Sequence, residues 1–259
     1  GIPALSALPR GRQHLHLLDG VGYLVYPWTD ARACHRTRIG ERHALTVAGL
    51  LARLHSSDLC LPELVDPAPN PLTADRIIDL VALARQRNVR EGQLLEDRLT
   101  DLLDVVALQD PAVAKLDCNR VISHGDLDHK NVIWSGAGDP IIIDWESARR
   151  INPTYELFLE ALDWGGITAN FETRPFVTFV EAYLDAGGTI VGDEIMAVAD
   201  AIQATWVEWL LFNVGRAVGV HDPEQRAVGM TQIDLSVSTL LRMEKHAPRL
   251  TEIAMRYAS

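Results

Sequence analysis

Lysine is nearly absent from this chain: only Lys115, Lys130 and Lys245 occur, and none precedes position 115. Basic charge as a whole is in deficit, with 24 Lys and Arg against 35 Asp and Glu and a formal net charge of −11. General nucleic-acid binding relies on basic surface to neutralise phosphates, so this balance argues against it. Cysteine is scarce too. Cys34, Cys60 and Cys118 are odd in number, far apart and without metal-ligand spacing, so neither a disulfide framework nor a zinc site is indicated and a reducing cytoplasm suits them. No apolar run approaches the roughly 20 residues of a membrane-spanning helix, and no basic-then-apolar secretory segment opens the chain, so no membrane partner is expected. Repeats and low-complexity tracts are also lacking.

What is present is enough for a core. With 47% hydrophobic residues, the 259-residue chain fits one large domain or two lobes. Two short β-like runs, residues 14–18 and 23–26, flank Asp19-Gly20-Val21-Gly22, the composition of a hairpin turn. Residues 41–55 switch to helical spacing and a proline-rich stretch, 62–71, follows. Helices are predicted over 73–88 and 92–108. Residues 120–123, 131–134 and 141–143 read as strands joined by the loop 124–130 and a Ser-Gly-Ala-Gly-Asp-Pro turn. From Asp144 onward the pattern predicts only helices, near 154–164, 174–186, 194–215, 223–244 and 248–257, with breaks at Gly165-Gly166, Gly187-Gly188, Gly219 and Pro248. The sum is an α+β arrangement with a helix-dominated main lobe.

Chemistry concentrates in His124-Gly125-Asp126-Leu127-Asp128-His129-Lys130-Asn131 and in Ile141-Ile142-Ile143-Asp144-Trp145-Glu146. An Asp five residues before an Asn puts a carboxylate and an amide oxygen at opposite ends of a short loop. There they can face an attacking hydroxyl and a metal. A second carboxylate ending a buried strand, Asp144, completes an oxygen set suited to Mg²⁺, for which the neighbouring histidines are poor ligands. Phosphoryl transfer from ATP asks for little else, because its loose transition state needs positioning and charge neutralisation.

These strings resemble the aminoglycoside phosphotransferase and choline kinase family, relatives of the protein kinases. The family's H-G-D-x-x-x-x-N loop matches residues 124–131 without a gap, and its D-x-E element matches Asp144-Trp145-Glu146. The resemblance implies a protein-kinase-like α+β fold with a small β lobe and a large helical lobe, here divided as 1–28 and 29–259. It implies that Asp126 orients or deprotonates the acceptor hydroxyl, that Asn131 and Asp144 hold Mg²⁺ on the phosphates of ATP, and that His124 is structural. Glu146 would support Asp144 or the loop, or act as a cap. Residues 50–55 resemble the end of the family's first main-lobe helix. Asn152-Pro153-Thr154-Tyr155-Glu156-Leu157 resembles its G-D-P-x-x-D-L segment, with Asn152 and Glu156 in place of acids. Residues 23–28 resemble its strand and hinge, which would give the Tyr26 carbonyl and the Trp28 amide to adenine.

The family's usual opening, a glycine-rich phosphate loop and a strand lysine, is absent from the residues before the hinge. The expectation is a truncated small lobe whose open sheet edge another chain could cover. The rival expectation is a catalytically silent binding or regulatory module. Lys130 reads as a solvated bystander, Asp128 as a cap on backbone amides, and Trp206, Trp209 and Phe212 as a buried helix face. The expected acceptor is a small hydroxylated molecule, and the acidic balance fits a cationic one such as an aminoglycoside.

Overall fold

A computed structural model describes residues 1–57, 59–66, 72–220 and 222–258. Its first regular element is set by a tight turn. Asp19 and Gly20 both take positive φ, 51° and 80°, the geometry that matches strand twist in a two-residue hairpin. Strands β1 (Leu15–Leu18) and β2 (Val21–Leu24) therefore pair antiparallel with Leu18 opposite Val21. Val21 and Gly22, read from sequence as turn, belong to β2, and the strand ends before Val25. Both strands are largely exposed. Residues 7 and 8 lie along the hairpin, the Leu8 N–H donating to the Val25 carbonyl at 2.7 Å.

Strand β3 (Arg32–Ala33), too short for a sequence signal, precedes α1 (Glu41–His55). The α1 period buries Ala44, Val47, Ala48, Leu51, Ala52 and Leu54, each leucine worth about 2 kcal/mol of apolar burial. Residues 67–71 of the proline-rich stretch lie outside the described residues. Beyond them run α2 (Ala74–Gln86), α3 (Gly92–Asp97) and α4 (Leu99–Leu116). The single helix expected over 92–108 is thus two, and the second continues through Pro111. Leu102, Val105, Ala112 and Leu116 form one buried stripe across the proline, and that packing outweighs the missing N–H.

Strands β4 (Val121–Ser123), β5 (Val132–Trp134) and β6 (Pro140–Ile142) follow the sequence pattern. The pairing adds what the pattern lacked. The sheet runs β3-β5-β6, and residues 3–5 extend it by running parallel beside β6, with Ile142 N–H donating to the Pro3 carbonyl at 2.7 Å. β4 pairs instead with β7 (Arg149–Ile151). A strand therefore follows Asp144 where only helix was expected; two arginines in its three residues hid its period.

Asn152 caps α5 (Pro153–Trp164) by accepting the Tyr155 N–H at 3.0 Å, with Pro153 at the first helical position. Then come α6 (Thr173–Asp185), α7 (Ile195–Ala217) and α8 (Arg226–Tyr257). The break expected at Pro248 does not occur, because the apolar face formed by Met243, Leu250, Ile253 and Ala254 packs on the core from both sides of it. Two core clusters result. One is centred on α1, α5 and α6 with the inner face of β5-β6, the other on α2, α4 and the second half of α7. Residues 192–217 do meet the length and hydropathy of a membrane span, contrary to the sequence reading. Their apolar side chains are shared between the two clusters, from Ile195 to Val214.

Candidate active site

The loop 124–131 leaves β4 through Gly125 at φ 78°. Only glycine fits there, since an added methyl would lie 2.4 Å from both the Ser147 carbonyl and the Arg149 guanidinium. At the far end Asn131 is buried and its Nδ2 donates twice to Asp126, at 2.8 Å to the backbone carbonyl and 3.0 Å to Oδ2. The amide nitrogen is thereby committed, and Oδ1 is the group left for a cation. Continuing the β5-β6 ladder, the Ile143 N–H donates to the Asn131 carbonyl at 3.0 Å. The Ile143 carbonyl in turn accepts from His124 Nε2 at 2.9 Å. His124 is fully buried, edge-on to Trp145 at 4.7 Å. Held at both backbone groups, Ile143 delivers Asp144 in the left-handed region, φ 63° and ψ 58°. For a non-glycine residue this is strained and typical of sites where a side chain must be aimed. Asp126, Asn131 and Asp144 are thus tied into one hydrogen-bonded frame, with His124 as its brace.

The loop is seated on α5 by three acids that alternate with its residues. Glu156 Oε1 accepts the Gly125 N–H at 2.7 Å, Glu160 Oε1 the Leu127 N–H at 2.8 Å, and Asp163 Oδ2 the His129 N–H at 2.9 Å. Trp164 Nε1 donates to the Leu127 carbonyl at 3.0 Å. Helix positions 156, 160 and 163 share one face. The loop's odd-numbered amides point to that face, so each buried donor meets an acceptor. Glu156 also holds His55 Nε2 at 2.7 Å, while His55 Nδ1 meets the Tyr183 hydroxyl at 2.8 Å. Burial pushes the Glu156 carboxyl up, but the bonds and charge of His55, with the Gly125 N–H, hold it below the usual carboxylate range. Glu160 goes the other way. Complete burial, then the charges of Asp128, Glu156, Asp163 and Asp126, raise it well above that range, and among the described residues its Oε2 has no hydrogen-bond partner.

Asp128 Oδ1 accepts the Lys130 N–H at 2.8 Å, the expected local cap, and burial followed by Asp163 raises its carboxyl. Burial lowers His129, yet the bond and charge of Asp163 and the charge of Asp128 leave it raised overall. Asp128, His129 and Asp163 bring ligand atoms within 4.8 Å of one another, but their hydrogen bonds are spent on the loop itself. Among the described residues Lys130 Nζ pairs only with Asp128, at 2.7 Å, and the side chain stays 65% exposed.

Glu146, Tyr26, Trp28 and Trp209 lie outside these hydrogen bonds. Glu146 is exposed and makes no side-chain hydrogen bond among the described residues. Support for the loop comes instead from Glu156, Glu160 and Asp163. Tyr26 and Trp28 follow β2 with side chains 47% and 87% exposed. Among the described residues the Tyr26 carbonyl and the Trp28 amide make no backbone hydrogen bond. The Trp209 ring is 40% exposed, stacked on Phe212 at 5.6 Å, so the expected buried face is only partly buried. From sequence, His55 and Glu156 stood out only as parts of family-like segments, and Glu160 and Asp163 were not singled out. The acids at 156, 160 and 163 were the available signal, an acidic stripe on an otherwise apolar helix.

Comparison with known proteins identifies the family and the fold. A family model described as phosphotransferase enzyme family (APH) matches residues 2–199. No curated protein matches the sequence. A solved spectinomycin phosphotransferase in complex with ADP and spectinomycin superposes with a TM-score of 0.68 at 12% identity, covering 93% of this chain and 77% of that one. An aminoglycoside phosphotransferase from Alicyclobacillus acidocaldarius gives 0.62 at 14% identity, with coverage of 96% and 78%. An ethanolamine kinase from Plasmodium vivax gives 0.54 at 16%, with coverage of 91% and 67%. At these identities the solved structures show a shared kinase-like fold.

Proposed function

This chain belongs to the phosphotransferase enzyme family, and from that premise we propose that it transfers the γ-phosphate of ATP to a hydroxyl of a small, amine-bearing molecule at Asp126. The observation that carries this reading is the frame joining Asp126, Asn131 and Asp144 through Ile143 and His124. Asn131 steers the Asp126 carboxylate, which accepts the hydroxyl's hydrogen bond and takes its proton as the oxygen joins the γ-phosphorus and ADP leaves. Asn131 Oδ1 and the Asp144 carboxylate are the hard oxygen donors that fit Mg²⁺. Mg²⁺, when bound, neutralises the phosphates. The exposed backbone at Tyr26 and Trp28 is the proposed adenine edge. An amine-bearing acceptor fits the net charge of −11, and aminoglycosides and ethanolamine, named for the structural neighbours, carry both amino and hydroxyl groups.

Calorimetry of ATP with and without Mg²⁺, followed by phosphate transfer across a panel of aminoglycosides and amino alcohols, tests the proposal. Asp126→Asn is expected to lower kcat by about 10² to 10⁴ while leaving ATP affinity within a few-fold. Failure to bind ATP with Mg²⁺, or an Asp126→Asn variant as active as the parent, overturns it.

A further inference from the structure

A cavity of about 480 Å³ opens between α3, α4, α7 and α8, well inside the size range of small-molecule pockets. Its walls include Leu102, Val105, Ile202, Leu210, Leu240 and Leu250. The floor includes Phe158 and Leu162 of α5. These lie on the side of that helix opposite Glu156, Glu160 and Asp163, so the cavity is separated from the loop 124–131 by one helix. Neither Asp126, Asn131 nor Asp144 lines it.

The mouth is not neutral. The charged lining residues are Arg98, Asp101, Asp200 and Glu244, and all four reach solvent, Asp101 and Glu244 with side chains 59% and 60% exposed. Arg98 is held by both Asp101 and Glu244 at 3.0 Å, spanning the start of α4 and α8. One cation therefore faces three acids. Asp200 has no hydrogen bond or ion pair among the described residues, and burial raises its carboxyl. Met196, one turn before it on α7, and Leu94 and Leu241 also line the cavity and are 61%, 38% and 43% exposed, so the cavity has exposed apolar side chains as well.

We propose that this cavity is a second ligand site, separate from the phosphotransfer site, for a small apolar molecule carrying one cationic group, its apolar body between α4, α7 and α8 and its cation against Asp200. The apolar walls provide affinity without direction, and the unpaired carboxylate at the rim sets the sign of the head group.

Isothermal titration of the full chain with nonylammonium, 1-nonanol and nonanoate, all below micelle formation, tests this. One nonylammonium per chain is expected, with nonanol weaker and nonanoate weakest. Asp200→Asn, a surface change, is expected to weaken nonylammonium about tenfold, the loss of one charge-assisted contact, and to leave nonanol within twofold. Ile202→Trp, which fills the cavity, is expected to remove binding of all three. The proposal is overturned by nonanoate binding as tightly as nonylammonium, by an Asp200→Asn variant with parental nonylammonium affinity, or by no saturable heat from any probe. Phosphotransfer assays play no part in these outcomes, so either site can fail without the other.

Discussion

Glu160 is a fully buried carboxyl whose Oε1 accepts a loop amide and whose Oε2 faces no donor. Its raised folded pKa means that the native state keeps a proton that the unfolded chain releases above about 4.3. Across the window between those two values stability falls as pH rises. Glu160→Gln keeps the carbonyl for Leu127 and cannot ionise. The variant is expected to melt above the parent at pH 7, with the gap closing toward pH 4; a gap of constant size across that range would contradict it. Lys130 is the counter-example in the same loop. Exposed and paired only with Asp128, it is expected to tolerate Lys130→Ala with activity within a few-fold of the parent, and a loss matching that of Asp126→Ala would refute this. Asp126, Asn131 and Asp144 were legible because their spacing lies in one short stretch of sequence. The seat beneath them was not. Its partners are backbone amides 31 to 34 residues away, and acids on one face of a helix ordinarily signal solvent.

Among elements, the helices were readable wherever period alone decides, as in α1, whose bounds match the expectation. Proline was the misleading signal. Pro111 and Pro248 each sit inside a helix whose apolar stripe continues past them, and local rules carry no information about tertiary packing. β7 was missed for a related reason: its pairing with β4 is nonlocal. Helix α8 approaches the backbone of α7 closely at Gly229. A methyl there would lie 2.6 Å from Ala217 N and 2.8 Å from the Asn213 carbonyl, both backbone of α7. Alanine gains about 0.5–1 kcal/mol in helix propensity over glycine, yet overpacking against an unyielding backbone costs about 1–3 kcal/mol, so the second effect wins. Gly229→Ala is expected to lower Tm, and an unchanged or higher Tm would show that α7 and α8 can part freely.

At the scale of the whole molecule, the surplus of acid sets up a long-range field. Attraction to a cationic acceptor is screened over about 8–10 Å at physiological salt. For such an acceptor kcat/KM is expected to fall between about 50 and 300 mM KCl, with little change for an uncharged one; equal slopes for the two would remove charge from the account of acceptor choice. The fold class was evident from sequence, whereas the sheet order was not, because residues 3–5 join β6 across more than a hundred positions. The seating of the 124–131 loop carries one more implication. Because α5 grips that segment from the protein interior, its footing is independent of the helices that make no bond to it. Remodelling those outer helices is expected to leave the reactive centre in register.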